Sequence, residues 1–220
     1  MTDTVLTYLD SYCERAGNAA LLGEPLNAVT NLFFIAAAVL VARAIMRDGR
    51  PAKQVIDLWL LAASLFGIGI GSGAWHLMPT GATLLMDVIP ITIFINVYII
   101  ASLRRLFELT WRKVISWWGI YQMVGIAAQL YLPPDLLNGT IMYIPTYATL
   151  VVMTFALARR DREAGKVFAM MTTLWSLSLI FRTIDSGICS QFAIGTHFLW
   201  HTFNAVVLWR LSLVLVRKTA

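Results

Sequence analysis

Seven apolar stretches, each about 20 residues long, follow one another along the chain, and a helix of that length is what it takes to cross the hydrocarbon core of a bilayer. They run roughly from Asn27 to Met46, Leu58 to His76, Thr83 to Leu103, Val114 to Leu132, Ile141 to Ala158, Val167 to Ile184 and Thr196 to Val216. In lipid every backbone N–H and C=O must find its partner within the protein, so apolar windows of this length specify helices rather than open sheet. The expected fold is all-α: a polytopic membrane protein built as a seven-transmembrane helix bundle. Only 13% of the 220 residues are charged, about half the share of a soluble domain, which leaves little surface for a second, water-exposed module. The connections are short and carry no Pro/Ser-rich linker, low-complexity tract or repeat. A single domain over residues 1–220 is therefore expected. Asp3 and Asp10 precede the first basic residue, Arg15, the reverse of a signal peptide's basic start, and no cleaved segment is expected.

A net charge of +5 raises the question of a nucleic-acid partner, which the placement of the charges answers. Arg43, Arg47, Arg50 and Lys53 follow the first span. Arg104, Arg105, Arg112 and Lys113 lie between the third and fourth, and Arg159, Arg160, Arg162 and Lys166 between the fifth and sixth. Arg210, Arg217 and Lys218 close the seventh. Fifteen of the 17 Lys and Arg thus fall on one side. The positive-inside rule makes that side cytoplasmic, with the N-terminus outside. No nucleic-acid partner is implied. Cys13 and Cys189, the two cysteines, both fall on the outer side, where a disulfide and two free thiols are both open readings, and a bridge persists only in an oxidising compartment.

Ionisable groups at membrane depth are costly and mark functional interiors. Few here cannot be explained as helix ends or loops: His76, closing GIGIGSGAWH; Asp87, in TLLMDVIP; and His197 and His201, in GTHFLWH. These include all three histidines of the chain, and all lie in the outer half of the bundle. Residues four apart share a helix face, with Cβ atoms about 5–6 Å apart, so His197 and His201 can hold one ion together. With His76 they offer three nitrogens, the number that catalytic zinc takes while leaving a fourth position to solvent. Two histidines on one helix face cannot flank a porphyrin, which argues against haem. Ser72 lies one turn before His76 and either donates a hydrogen bond to a developing oxyanion or is simply small, since Gly67, Gly69, Gly71 and Gly73 surround it in the spacing of close helix contacts. Asp87 suits proton transfer at the metal or support of a ligand histidine. The G-x-G-x-x-A match at Gly69–Ala74 follows no strand and carries no dinucleotide reading.

Ahead of the first span, Asp10, Glu14 and Glu24 bring three carboxylates together. Oxygen ligands of this kind suit calcium, and an acidic cap over a helix N-terminus accounts for them equally well. Glu24, Asn27 and Asn31, with Thr30, give the first span a polar face that must turn inward. Arg182 and Asp185, three apart, are expected to form a local ion pair. The eight Trp and nine Met are expected to serve as interfacial anchors and packing.

Taken together, LDSYCE, EPLNAVTN, GSGAWH, Asp87, DSGIC and HFLWH resemble the alkaline ceramidases, within the wider group of seven-helix membrane hydrolases that includes the adiponectin receptors. The resemblance touches both ends of the chain and the second, third, sixth and seventh spans. It implies a zinc-dependent amidase that cleaves ceramide-type lipids to a sphingoid base and a fatty acid, its substrate entering from the bilayer and its active site toward the non-cytoplasmic side. It implies zinc on His76, His197 and His201, Ser72 and Asp87 beside the reacting water, and a Cys13–Cys189 bridge. The family's calcium site maps to Asp10, Glu14, Glu24 and the carbonyl of Tyr12. Here the interval from Cys13 to Glu24 is a residue shorter than in eukaryotic members and the family's Asn ligand position falls on Ala16, with Asn18 the nearest substitute. The alternative from another class is a receptor-like seven-helix protein in which the metal is structural. A transporter lacks the support of broken helices or inverted repeats.

Overall fold

The computed structural model describes Leu9 and residues 11–218, and among them all regular structure is helical. Seven long helices form the body: α1 (Pro25–Asp48), α2 (Ile56–Leu77), α3 (Gly81–Arg105), α4 (Trp111–Tyr131), α5 (Ile144–Arg160), α6 (Arg162–Ile184) and α7 (His197–Val216). Six of them, all but α4, are long and apolar enough to cross a membrane. Their outward faces carry exposed Phe33, Phe66, Ile70, Val152 and Phe155. This is the make-up of an integral membrane protein.

The six-helix count departs from the seven apolar spans expected. The fourth stretch is helical, but Trp117, Trp118, Tyr121, Gln122, Gln129 and Tyr131 dilute its apolar character, and Val114 is its only buried residue.

Local chemistry sets the helix ends. Pro25 occupies the first turn of α1, where its missing N–H costs nothing. A one-residue break interrupts α1 at Asn31. There the Thr30 hydroxyl donates to the carbonyls of Leu26 and Asn27, and Asn31 Nδ2 donates to Asn27 O, side-chain bonds that compete with the helical ladder. Thr80 and Thr83 exchange side-chain and backbone hydrogen bonds at the start of α3, and Asp161 accepts from Ala164 N–H to start α6.

Helix α2 packs between α1 and α3, and α7 packs against α1 and α6. Helices α2 and α3 approach closely at Gly71, where a Cβ would stand 1.8 Å from the carbonyl oxygen of Met86. Alternating helix directions bring the C-terminal ends of α2 and α6 together with the N-terminal ends of α1, α3 and α7. At the opposite end Arg105 pairs with Asp57 at 2.7 Å, Arg50 donates to Val216 O at 2.6 Å, and Lys218 pairs with Asp161.

Candidate metal centre

His76 comes from the last turn of α2, and His197 and His201 from the first two turns of α7. All three are at most 2% exposed, and each offers a ligand atom within 4.8 Å of the other two. The placement of His197 is the work of Asp185, at 0% exposure. One of its carboxylate oxygens accepts from the N–H groups of Thr196 at 2.6 Å and His197 at 2.9 Å, and the other from Cys13 N–H at 3.3 Å. A buried anion thereby caps the positive end of α7. Gly195 makes room for it, with φ +62° and a hypothetical Cβ only 2.2 Å from Asp185 Oδ1. The Cys13–Cys189 disulfide ties the N-terminal segment to the same corner.

The expected Arg182–Asp185 ion pair is therefore not made. Asp185 is committed to three backbone donors, two of them on the start of α7, and Arg182 points instead toward Tyr12, Tyr143 and Trp200.

Hydrogen bonds fix which ring nitrogens are free. His76 Nδ1 lies 2.5 Å from Glu24 Oε2, so it carries the hydrogen and donates to the carboxylate. His201 Nδ1 lies 3.0 Å from the Thr30 hydroxyl, whose own hydrogen goes to backbone carbonyls. It too must donate. The Nε2 atoms of His76 and His201 face each other at 3.1 Å. Two ring nitrogens at this separation share either a proton or a cation. Two nitrogens each about 2.0–2.1 Å from a tetrahedral zinc stand about 3.3 Å apart, close to this separation. His197 Nδ1 is buried without a hydrogen-bond partner. The cluster could hold a metal ion.

Around the cluster, Tyr12 lays its ring 4.1 Å from that of His197 and 5.0 Å from that of His76. Trp75 Nε1–H donates to its hydroxyl at 3.4 Å, and burial pushes the Tyr12 phenol above its ordinary range. The rings of Tyr12, His197 and His201 line a cavity of about 180 Å³, together with Ser72 and Asp87. The Ser72 side chain lies against the Asp87 carboxylate, and Asp87 Oδ1 is buried without a partner. So the structure brings Ser72, His76, Asp87, His197 and His201 to one place.

The oxygens expected to bind calcium are otherwise engaged. Asp10 lies outside the described residues. Glu14 accepts from the N–H groups of Leu26 and Asn27 at 2.7 and 2.8 Å, and the Tyr12 carbonyl accepts from Arg15 and Ala16 N–H. Glu24 accepts from Arg15 Nε at 2.5 Å, besides His76 and Asn27. Burial works against its ionisation, but the hydrogen bonds from His76 and Arg15 outweigh that and hold its carboxyl below the usual range. The cation at Glu24 is the buried guanidinium of Arg15, which also donates to His76 O at 2.6 Å. Among the described residues, these oxygens are thus held by backbone N–H groups, by His76 and by Arg15.

Sequence reasoning left unused the Tyr12 ring, Thr30 as the acceptor behind His201, Arg15, and Arg182 in the cavity wall. The polar face of α1 was the signal for Thr30. Compared with known proteins, the chain matches no family model and no curated sequence.

Proposed function

We propose that this protein is a membrane amidase of the alkaline ceramidase type, which hydrolyses the N-acyl bond of a lipid amide with one zinc ion held by His76, His197 and His201. The observation that carries this reading is the pair of facing Nε2 atoms beside a third imidazole, at the edge of a cavity that also holds an unpartnered carboxylate oxygen. Three nitrogens leave a coordination position open, as catalytic rather than structural zinc does. That count favours an enzyme over a receptor with a structural metal.

When bound, the ion supplies Lewis acidity and lowers the pKa of water toward 7. Asp87 accepts the proton of the attacking water as its oxygen bonds to the acyl carbon, and returns that proton to the nitrogen as the C–N bond breaks. Ser72 donates a hydrogen bond to the carbonyl oxygen as negative charge develops there. Glu24 and Thr30 hold His76 and His201 in the tautomer that leaves Nε2 free. Phe94, Ile95, Ile99, Leu150, Met153 and Leu211 line the rest of the cavity, an apolar wall suited to an acyl chain arriving from the bilayer. The proposal contains no calcium ion.

Seven spans, with α4 the fourth, and a cytoplasmic C-terminus complete the reading. The basic residues gather at the end opposite the histidines, and the disulfide beside the cluster suits an oxidising, non-cytoplasmic side. The test is fatty-acid release from a panel of N-acyl lipids by the purified chain. Release should stop on metal removal, return with zinc, and be absent in His197→Ala and His201→Ala variants that still fold. Full turnover by either variant refutes the mechanism.

A further inference from the structure

Arg182 has no role in the chemistry above, yet it stands in the wall of the same cavity as Ser72, Asp87, His197 and His201. Among the described residues no carboxylate pairs with it. Its guanidinium carbon lies 5.4 Å from the centre of the Trp200 ring and 5.7 Å from that of Tyr143, and it reaches the Tyr12 side chain. Its Nε is sealed from solvent without a hydrogen-bond partner. Two cation–π contacts offset only part of the cost of taking a cation out of water. Trp200 lies between His197 and His201 on α7, so the ring that holds the guanidinium is fixed to the helical turn that carries the metal ligands.

We propose that Arg182 binds a carboxylate on the amine side of the substrate, so that the preferred lipids are N-acyl amino acids rather than neutral ceramides. This rests on the amidase reading. The apolar wall accommodates the acyl chain, which leaves the polar end of the molecule to the corner where Arg182 stands. The fork of a guanidinium matches the two oxygens of a carboxylate. One cation with Asp87 close by suits a monoanion better than a phosphate.

The first test is binding to the metal-stripped full chain in lipid nanodiscs, where neither a carboxylate–metal bond nor turnover intervenes. N-palmitoylglycine and N-palmitoylethanolamine differ only in carboxylate against hydroxymethyl. The glycine lipid is expected to bind about tenfold tighter or more, with Arg182→Gln abolishing that preference and Arg182→Lys keeping part of it. Equal binding of the two lipids, or a preference untouched in Arg182→Gln, overturns the proposal. Palmitate is the third probe. If it binds as tightly as the glycine lipid and loses affinity equally in Arg182→Gln, the site is for the product acid and the proposal is likewise overturned. The second test is turnover with zinc restored, in variants of unchanged metal content. The ratio of kcat/KM for the glycine over the ethanolamine lipid should fall about tenfold or more in Arg182→Gln, through KM. An anion preference in binding without turnover of any lipid supports Arg182 as an anion site and refutes the amidase reading.

Discussion

At the scale of single residues, the histidine cluster depends on what stands behind it. Glu24 orients His76, and Glu24→Gln keeps the shape while weakening the acceptor. Zinc affinity, measured by competition with a chromogenic chelator, should fall about 10–100-fold. Asp87→Asn should lower kcat by about 10²–10⁴ with zinc content unchanged, and unimpaired turnover would remove Asp87 from the proton pathway. The histidines were legible in the sequence because the chain has so few and because HxxxH sits in an apolar run. Their supports were not. Glu24 reads as one acidic residue among several until the fold brings the end of α2 over it. Arg182 and Asp185 have the spacing of a local pair, but spacing carries no information about Thr196 and His197, whose N–H groups arrive from the next helix and claim the carboxylate.

At the scale of helices, the two faces of a small residue separate. The glycines of α2 are legible as a packing motif, and which of them touches what is fixed only by the fold. Gly71→Ala drives a Cβ into the backbone of α3 and should cost about 1–3 kcal/mol of stability. Gly119→Ala on α4 meets nothing within 4 Å and should be stabilising by about 0.5–1 kcal/mol through helix propensity alone. Thermal unfolding of the two purified variants compares them directly. Ser72, one residue from Gly71, lines the cavity instead. Six spans were legible from hydropathy and length. The fourth expected span is a helix that carries Trp, Tyr and Gln and buries almost nothing, and it is not among the six that are apolar enough to cross a membrane.

At the scale of the molecule, the two ends have divided roles. One end holds most of the basic residues and the Arg105–Asp57 and Lys218–Asp161 ion pairs. The other holds the histidines, the disulfide and the buried Arg15–Glu24 and Asp185 networks. The Cys13–Cys189 bridge closes a segment of 176 residues, and removing it by paired Cys→Ser substitution should lower stability by about 2–5 kcal/mol, read as a shift in thermal unfolding and reproduced by reductant. Zinc protects a folded chain by mass action, so the same scan with added zinc should show stabilisation that His201→Ala lacks. The most direct measurement is elemental analysis of the purified chain together with its fatty-acid release from N-acyl lipids, for the wild type and for His76→Ala, His197→Ala and His201→Ala. The account predicts about one zinc per chain and metal-dependent hydrolysis in the wild type, with both lost in each folded variant. A wild-type chain that binds no metal under zinc-replete conditions, or a variant that hydrolyses lipid amides without it, contradicts the account.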